Sequence, residues 1–460
     1  MWQTSLENIA CWLPHLPLTC LPMKMLALFL PMFFAATMPA FGQTEVQATS
    51  FVVKAAKVLE VHKGSYIENA AIWMEGESIK EVGPALEILA HAPKAAKVID
   101  LGRATVLPGL IDCHTHVMAR IPNGDDGYVL NLATKSQAFR ALEGAYDARI
   151  TLEAGYTTIR DVENEGSEYA DVALRDAINQ GLAVGPRMQV ATRAIAAVGQ
   201  YNPFGVAADL KDFPTGAQMV SGVEEARRAT REQIGHGADL IKVYADWDQP
   251  TLTVDEMRVI VEEAHRQRRK VAAHATTAEG IKNAVTAGVD SIEHGHRANR
   301  EDLELMKAKG VFLVPTVGGI DAMMARNANE PISPEGRKRR AAFLEGIRDS
   351  IQTAQSLGVK IAAGFDPAAA DEQGKNATEL EAMVKRGLKS LEVIQAATVN
   401  AAELLGWQER VGALESGHYA DLIAVEGDPL ADITVLQHVK FVMKGGAVVK
   451  DEISTPHCSK

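Results

Sequence analysis

The amino-acid sequence predicts an α/β chain: a (β/α)8 TIM barrel with a small β-sandwich domain formed by the N- and C-terminal segments. Three observations predict it. Between about Val106 and Trp407, short apolar runs alternate eight times with amphipathic stretches. Those runs are continuous rather than alternating, as expected of parallel strands buried on both faces. The flanking segments, about 49–106 and 408–452, carry short β-like runs separated by Gly and charged turns, without a convincing helical period.

In chain order, the first element lies outside the fold. From Met23 the sequence reads MKMLALFLPMFFAATMPAFGQTE, with Lys24 before an apolar run and small residues at Ala40 and Gly42. This is the pattern of a secretory signal peptide over residues 1–42, cleaved before Gln43, with Met23 as an alternative start. The alternative, a membrane anchor, is opposed by the shortness of the run, well below the ~20 residues of a span, and by Pro31 and Pro39. The expectation is export to a bacterial periplasm or the exterior, with no membrane attachment after cleavage. Processing removes Cys11 and Cys20 and leaves Cys113 and Cys458, too few for a disulfide framework.

The first sandwich segment (49–106) contains FVVKAAKVLEV, ENAAIWMEG, ESIKEVG and KVIDLG. The barrel (107–407) is entered through VLPGLID (106–112). Its further strands are YTTIRDV (156–162), RMQVATR (187–193), DLIKVY (239–244), KVAAHA (270–275), VDSIEH (289–294), VFLVPT (311–316) and VKIAAGF (359–365). Helices are predicted over Val223–His236, Val254–Arg268 and Pro334–Leu357 between them. The long stretch Ala194–Gly222 after the third strand reads as a lid or pocket wall, or as a plain surface insertion. The second sandwich segment (408–452) holds VGALESGHYADLIAVEGD and HVKFVMKGGAVVKD; neither end alone has enough strands for a stable sheet.

Composition narrows the partners. The 460 residues carry a net charge of −12 and no long basic run, which argues against nucleic acid.

Six residues at strand ends carry the chemistry. His114 and His116 close the first strand, His274 the fifth and His294 the sixth; Lys242 lies near the end of the fourth and Asp366 follows the eighth. In a barrel these ends form one catalytic mouth. Residues two apart share a strand face, so both first-strand imidazoles point the same way. Imidazole and carboxylate together suit zinc or a similar divalent metal. Lys242, in the apolar run LIKVY, reads as a buried ion pair, an outward lysine, or a neutral amine that takes up carbon dioxide and bridges metals. Tyr244 and His296 stand two residues beyond Lys242 and His294 and are candidate substrate contacts, or packing and loop residues. Arg160 and Arg193 are candidate anion contacts, or partners of Asp161 or another acid. His62, His91, His236, His265, His418 and His438 read as structural or exposed.

VLPGLIDCHTHV, GYTTIRDV, KVYAD, AHA, GVDSIEHG, AATVNAAELLG and VGALESGHYADLIAV together resemble the amidohydrolase superfamily. Within it, they resemble the imidazolonepropionase-like branch of secreted dipeptidases and ochratoxin-hydrolysing amidohydrolases. The resemblance runs from about residue 50 to 450. It implies two divalent metal ions, zinc by donor type, with His114 and His116 on the more buried ion. It further implies N-carboxylated Lys242 as the bridge, His274 and His294 on the second ion, and Asp366 as metal ligand and proton shuttle. The catalytic set is then Asp366, Lys242 and His294. One departure is Phe365, where the family usually has Thr or Ser, and altered pocket packing is expected there.

The implied function is an exported hydrolase of small N-acyl amino acids or dipeptides with a free C-terminal carboxylate, acting by metal-activated hydroxide. Leaving groups would be proline, basic or aromatic residues, including ochratoxin-like phenylalanine amides. Alternatives are a hydrolase or deaminase of cyclic amides, esters or heterocycles at the same site, and a binding protein without catalysis. A small-molecule substrate and a homo-oligomer are the expected partners.

Overall fold

The computed structural model describes residues 50–121, 127–201, 210, 213–328 and 331–453. The expected signal peptide and Cys458 lie outside these residues. Five strands precede the barrel: β1 (Ser50–Glu60), β2 (Ser65–Glu75), β3 (Ser78–Pro84), β4 (Lys97–Asp100) and β5 (Thr105–Pro108). Three follow it: β15 (Leu422–Val425), β16 (Phe441–Lys444) and β17 (Ala447–Asp451). They join in the order β17-β16-β15-β5-β1-β2-β3, with β4 on β1, so both chain ends build one sandwich. Its core packs Val53, Ile72, Met74 and Ile79 from the first segment against Leu422, Phe441 and Met443 from the second. A short helix, Ala85–His91, interrupts the β-character expected there.

The parallel strands are β6 (Leu110–Thr115), β7 (Tyr156–Asp161), β8 (Arg187–Val190), β9 (Ala194–Ala197), β10 (Ala217–Val220), β11 (Leu240–Tyr244), β12 (Lys270–Ala275), β13 (Ser291–His294) and β14 (Phe312–Val314); β9 and β10, inside the stretch 194–222 expected as a lid, wall or insertion, add onto β11, and the other seven take barrel positions. All pair in parallel, as β6-β7-β8 and as β10-β9-β11-β12-β13-β14. Asp239 N donates to Val190 O at 2.8 Å and joins the two groups.

Two boundaries differ from expectation. The first run, 106–112, is not one strand. Thr105–Pro108 belongs to the sandwich and Leu110–Thr115 to the barrel, with Gly109 between. A Cβ on Gly109 would stand 2.0 Å from Thr157 Oγ1, so only glycine fits where the chain passes between the layers. The eighth run, 359–365, makes a single bridge, Leu313 to Ile361, rather than a ladder. It still closes the barrel: Ala362 N donates to Leu313 O at 3.0 Å on one side, and Cys113 N to Ala363 O at 2.9 Å on the other.

The helices start where the side chains dictate. Thr253 and Glu256 form a capping box before Val254–Arg266, and Ser333 caps Pro334–Leu357, whose first residue is proline. The apolar faces of the helices pack on the strands in one large core containing Ile241, Val243, Ile260, Val271, Ile292 and Ile351. No helix among the described residues is long and apolar enough to cross a membrane.

Candidate metal centre

All six strand-end residues line one cavity of about 220 Å³ at the C-terminal ends of the strands. His114 sits in β6, Lys242 in β11, His274 in β12 and His294 in β13, while His116 stands just past β6 and Asp366 just past the closing segment 359–365. Atoms of His114, His294 and Asp366 that can each ligate a metal lie within 4.8 Å of one another. His116 Nε2 is 3.3 Å from Asp366 Oδ1, and the His274 and His294 ring centroids are 4.5 Å apart. His294 and Asp366 both adopt positive φ, 72° and 61°, a left-handed backbone that non-glycine residues seldom take. Such strain persists only where the surroundings over-determine it, and it concentrates at functional positions.

The environment favours ligand forms of three imidazoles. Burial pushes His114 down to about 4, assisted by Lys242, and also lowers His274, assisted by Lys242, and His294, assisted by His274 and His114. His116 differs: burial opposes its charge, but Glu165 and Asp366 outweigh it and hold its pKa well above the ordinary value. Lys242 is buried and its pKa is lowered by desolvation; its Nζ lies 5.6 Å from the Tyr244 ring centroid. Asp366 is held well below the carboxylate range, because the neighbouring imidazoles outweigh its burial.

The remaining sequence expectations divide. Tyr244 lines the cavity, with its hydroxyl donating to Glu163 and its ring stacked on Trp247 at 4.8 Å. His296 faces a neighbouring cleft instead, where Nε2 lies 3.2 Å from Pro315 O. Arg160 does not reach the cavity. It is buried beneath it, donating to Cys113 O at 2.6 Å, Ser291 Oγ at 3.1 Å and Glu293 Oε1 at 2.8 Å. Buried there and absent from the cavity wall, it forms an internal ion pair in place of the expected substrate contact. Arg193 is likewise turned to the protein, donating to Ala217 O at 2.9 Å. Phe365 is buried and absent from the cavity wall, so the expected change of pocket packing does not arise from its side chain. The stretch after β8 does contribute to the wall: Tyr201 lines the cavity and bonds Glu163, while residues 202–209 lie outside the described set.

Sequence reasoning missed four carboxyl and phenol groups. Glu293 Oε2 lies 2.7 Å from His114 Nδ1, Glu165 Oε1 lies 2.8 Å from His116 Nδ1, and Tyr128 and Tyr201 join the wall. A carboxylate on the far ring nitrogen fixes the tautomer and aims the other nitrogen, the usual support of a metal-binding histidine. Glu293 carried a signal of its own: it is a charge inside the apolar run VDSIEH, as Lys242 is inside LIKVY.

Residues 105–449 match the family model described as "Amidohydrolase family". The chain belongs to the amidohydrolase family. It is 35% identical over 425 residues to an ochratoxinase of Aspergillus niger, covering 84% of each chain. As an amidohydrolase fold it superposes on the crystal structure of A. niger ochratoxinase with a TM-score of 0.78 and 32% identity, covering 88% of this chain and 96% of that one. A Xaa-Pro dipeptidase with methionine bound in its active site gives a TM-score of 0.77 and 32% identity, covering 87% and 99%. A prolidase in complex with N-methylphosphonate-L-proline gives 0.77 and 31%, covering 88% and 100%.

Proposed function

We propose that this amidohydrolase is a metal-dependent enzyme that hydrolyses the amide bond of small dipeptides or N-acyl amino acids with a free C-terminal carboxylate, phenylalanine amides of the ochratoxin type included. The observation that carries this reading is the convergence of His114, His294 and Asp366 within 4.8 Å at the mouth of the barrel. The names of the similar ochratoxinase, dipeptidase and prolidase support the bond type.

The residues fit a divalent metal. Histidines that burial keeps neutral and a carboxylate kept ionised supply the donor types that zinc prefers, and Glu293 already aims His114. His114, His116 and Asp366 would hold one ion, His274 and His294 a second, with Lys242 as an N-carboxylated bridge. When bound, the metal supplies Lewis acidity to the carbonyl and lowers the pKa of water. Asp366 takes the proton of the attacking water and returns it to the leaving nitrogen, which would otherwise depart as an unstable anion. Lys242 suits the bridging role because a buried amine is readily neutral, the form that reacts with carbon dioxide. The run beginning at Met25 supports export as part of the same reading.

The test is hydrolysis by protein of measured zinc content. Dipeptides, N-acyl amino acids and an ochratoxin-type phenylalanine amide are compared with lactams, esters and aminoheterocycles. Release of free amino acid from the first group supports the reading; turnover confined to the second overturns it.

A further inference from the structure

Outside the catalytic cavity, a cleft of about 650 Å³ opens between the chain that leaves β13 and helix Pro334–Leu357. His296, Arg297 and Arg300 line it from the first side, and Arg339, Phe343 and Gly346 from the helix. Its volume is that of a small-molecule site. Ser350 Oγ, one turn beyond Gly346, donates to Gly295 O at 3.2 Å and pins the helix to the loop.

Three guanidinium groups line the cleft against one carboxylate, Asp349, in a chain whose net charge is −12. Arg300 Nε is held by Glu304 at 2.9 Å. Arg297 and Arg339 are exposed, and neither forms an ion pair with a described carboxylate. Asp349 and Arg339 share the helix but stand about 15 Å apart along its axis, too far to pair.

Gly346 is a second, independent sign. It lies in the interior of a 24-residue helix, where glycine is the least favoured residue after proline. Its φ is not positive, and a Cβ there would meet nothing within 4 Å. Neither the backbone nor the packing of the protein requires glycine at this position. The missing side chain instead leaves an open wall on which a bound molecule can approach the helix backbone. Ala342, one turn earlier, continues that wall, and Phe343 stands edge-on to His296 at 5.8 Å beside it.

We propose that this cleft is a second ligand site, separate from the metal centre, for a small organic dianion of the phosphate monoester class. A guanidinium fork matches phosphate oxygens two at a time. A phosphate monoester carries close to two negative charges at neutral pH, which answers the two guanidinium groups, Arg297 and Arg339, that pair with no described carboxylate. The organic part lies along Phe343 and over Gly346. The site stands apart from the amide-cleaving reading, because none of these residues belongs to the metal centre.

The test is calorimetric titration of the full chain, loaded with zinc, with phenyl phosphate and with benzoate, a singly charged anion of the same ring. Expected is saturable binding of phenyl phosphate, about tenfold or more tighter than that of benzoate, as an added charge-assisted hydrogen bond provides. Arg339→Ala and Gly346→Leu are each expected to weaken it about tenfold, the first by removing charge and the second by filling the opening with every charge kept. Replacing a helical glycine should not lower the melting temperature of the second variant. Phenyl phosphate bound to zinc would be retained by both variants, so binding unchanged in either one overturns the proposal. Absence of saturation overturns it too, and a parent that binds both ligands equally does so even if the variants fail to fold.

Discussion

Glu293 Oε2 lies 2.7 Å from His114 Nδ1, with both side chains shut off from solvent, while Glu293 Oε1 receives the Arg160 guanidinium at 2.8 Å. One carboxylate thus ties a histidine of the metal centre to a buried cation two elements away. Glu293 holds its charge because Arg160 and His114 outweigh a large burial penalty, which brings its pKa to about 2.

Removing the aim of His114 weakens the metal without removing a ligand. Glu293→Gln is expected to lower metal affinity about 10–100-fold, as loss of a carboxylate behind a ligating histidine does. Zinc retained against a chelator series measures this, and retention equal to the parent would refute the role. Arg160→Ala leaves the buried Glu293 carboxylate without its guanidinium partner, and a stability loss of about 3–5 kcal/mol is expected in denaturant unfolding.

Asp366→Asn separates proton transfer from metal binding. Turnover is expected to fall about 10²–10⁴-fold, the contribution of a positioned acid–base group, while the metal content stays largely intact. Near-normal activity in a metal-loaded variant would remove Asp366 from the proton path.

Carboxylation of Lys242, as proposed above, would make the centre depend on carbon dioxide. Metal uptake by apoprotein in carbonate-free buffer is expected to stop near one ion per chain and to rise toward two on adding bicarbonate. Lys242→Met should show no such response, because the thioether cannot carry the carboxylate. An identical bicarbonate response in parent and variant would rule out the bridge.

Gly364 holds the eighth segment against the histidine strand. A Cβ there would stand 2.5 Å from Val314 Cγ1, 2.7 Å from His114 Cβ and 3.0 Å from His114 N. Gly364→Ala is therefore expected to cost about 1–3 kcal/mol by overpacking and to loosen metal retention together. Thermal unfolding and zinc analysis on one sample check both.

Acid sensitivity has an identifiable contributor away from the centre. Glu263 binds Arg231 at 2.9 and 3.0 Å and Arg227 at 2.7 Å, joining helices Val223–Gly235 and Val254–Arg266. The Arg231 bonds, with those of Arg227, outweigh burial and lower its pKa from the ordinary 4.5 to about 2. A depressed carboxylate stabilises the fold above pH 4.5, and that stability is lost as pH falls toward 2. Glu263→Gln should lower the melting temperature at neutral pH and flatten its decline across that window.

Much of the architecture was legible because the barrel strands are apolar runs at regular intervals, and His114, His274, His294 and Asp366 punctuate their ends. Two features were not. VLPGLID reads as one strand, since nothing in its composition marks the passage from sandwich to barrel except Gly109, whose necessity comes from distant Thr157. VKIAAGF pairs too irregularly to form a ladder, yet its hydrogen bonds close the barrel. At the site, the arginines misled because an Arg at a strand end looks the same whether it meets a substrate or, like Arg160, an internal carboxylate. Glu165 was hidden for the converse reason: it lies on a loop, and only the folded chain places it against His116.

The single residue Gly109 separates β5, in the middle of the sandwich order, from β6, which carries His114. Strand β5 is held on both flanks, by β1 and by β15, so the histidine strand is anchored outside the barrel at its root. The catalytic module therefore has no clean excision point. A barrel cut free of both chain ends would lose the clamp on its first strand, and grafting this barrel onto another protein requires carrying both terminal segments with it.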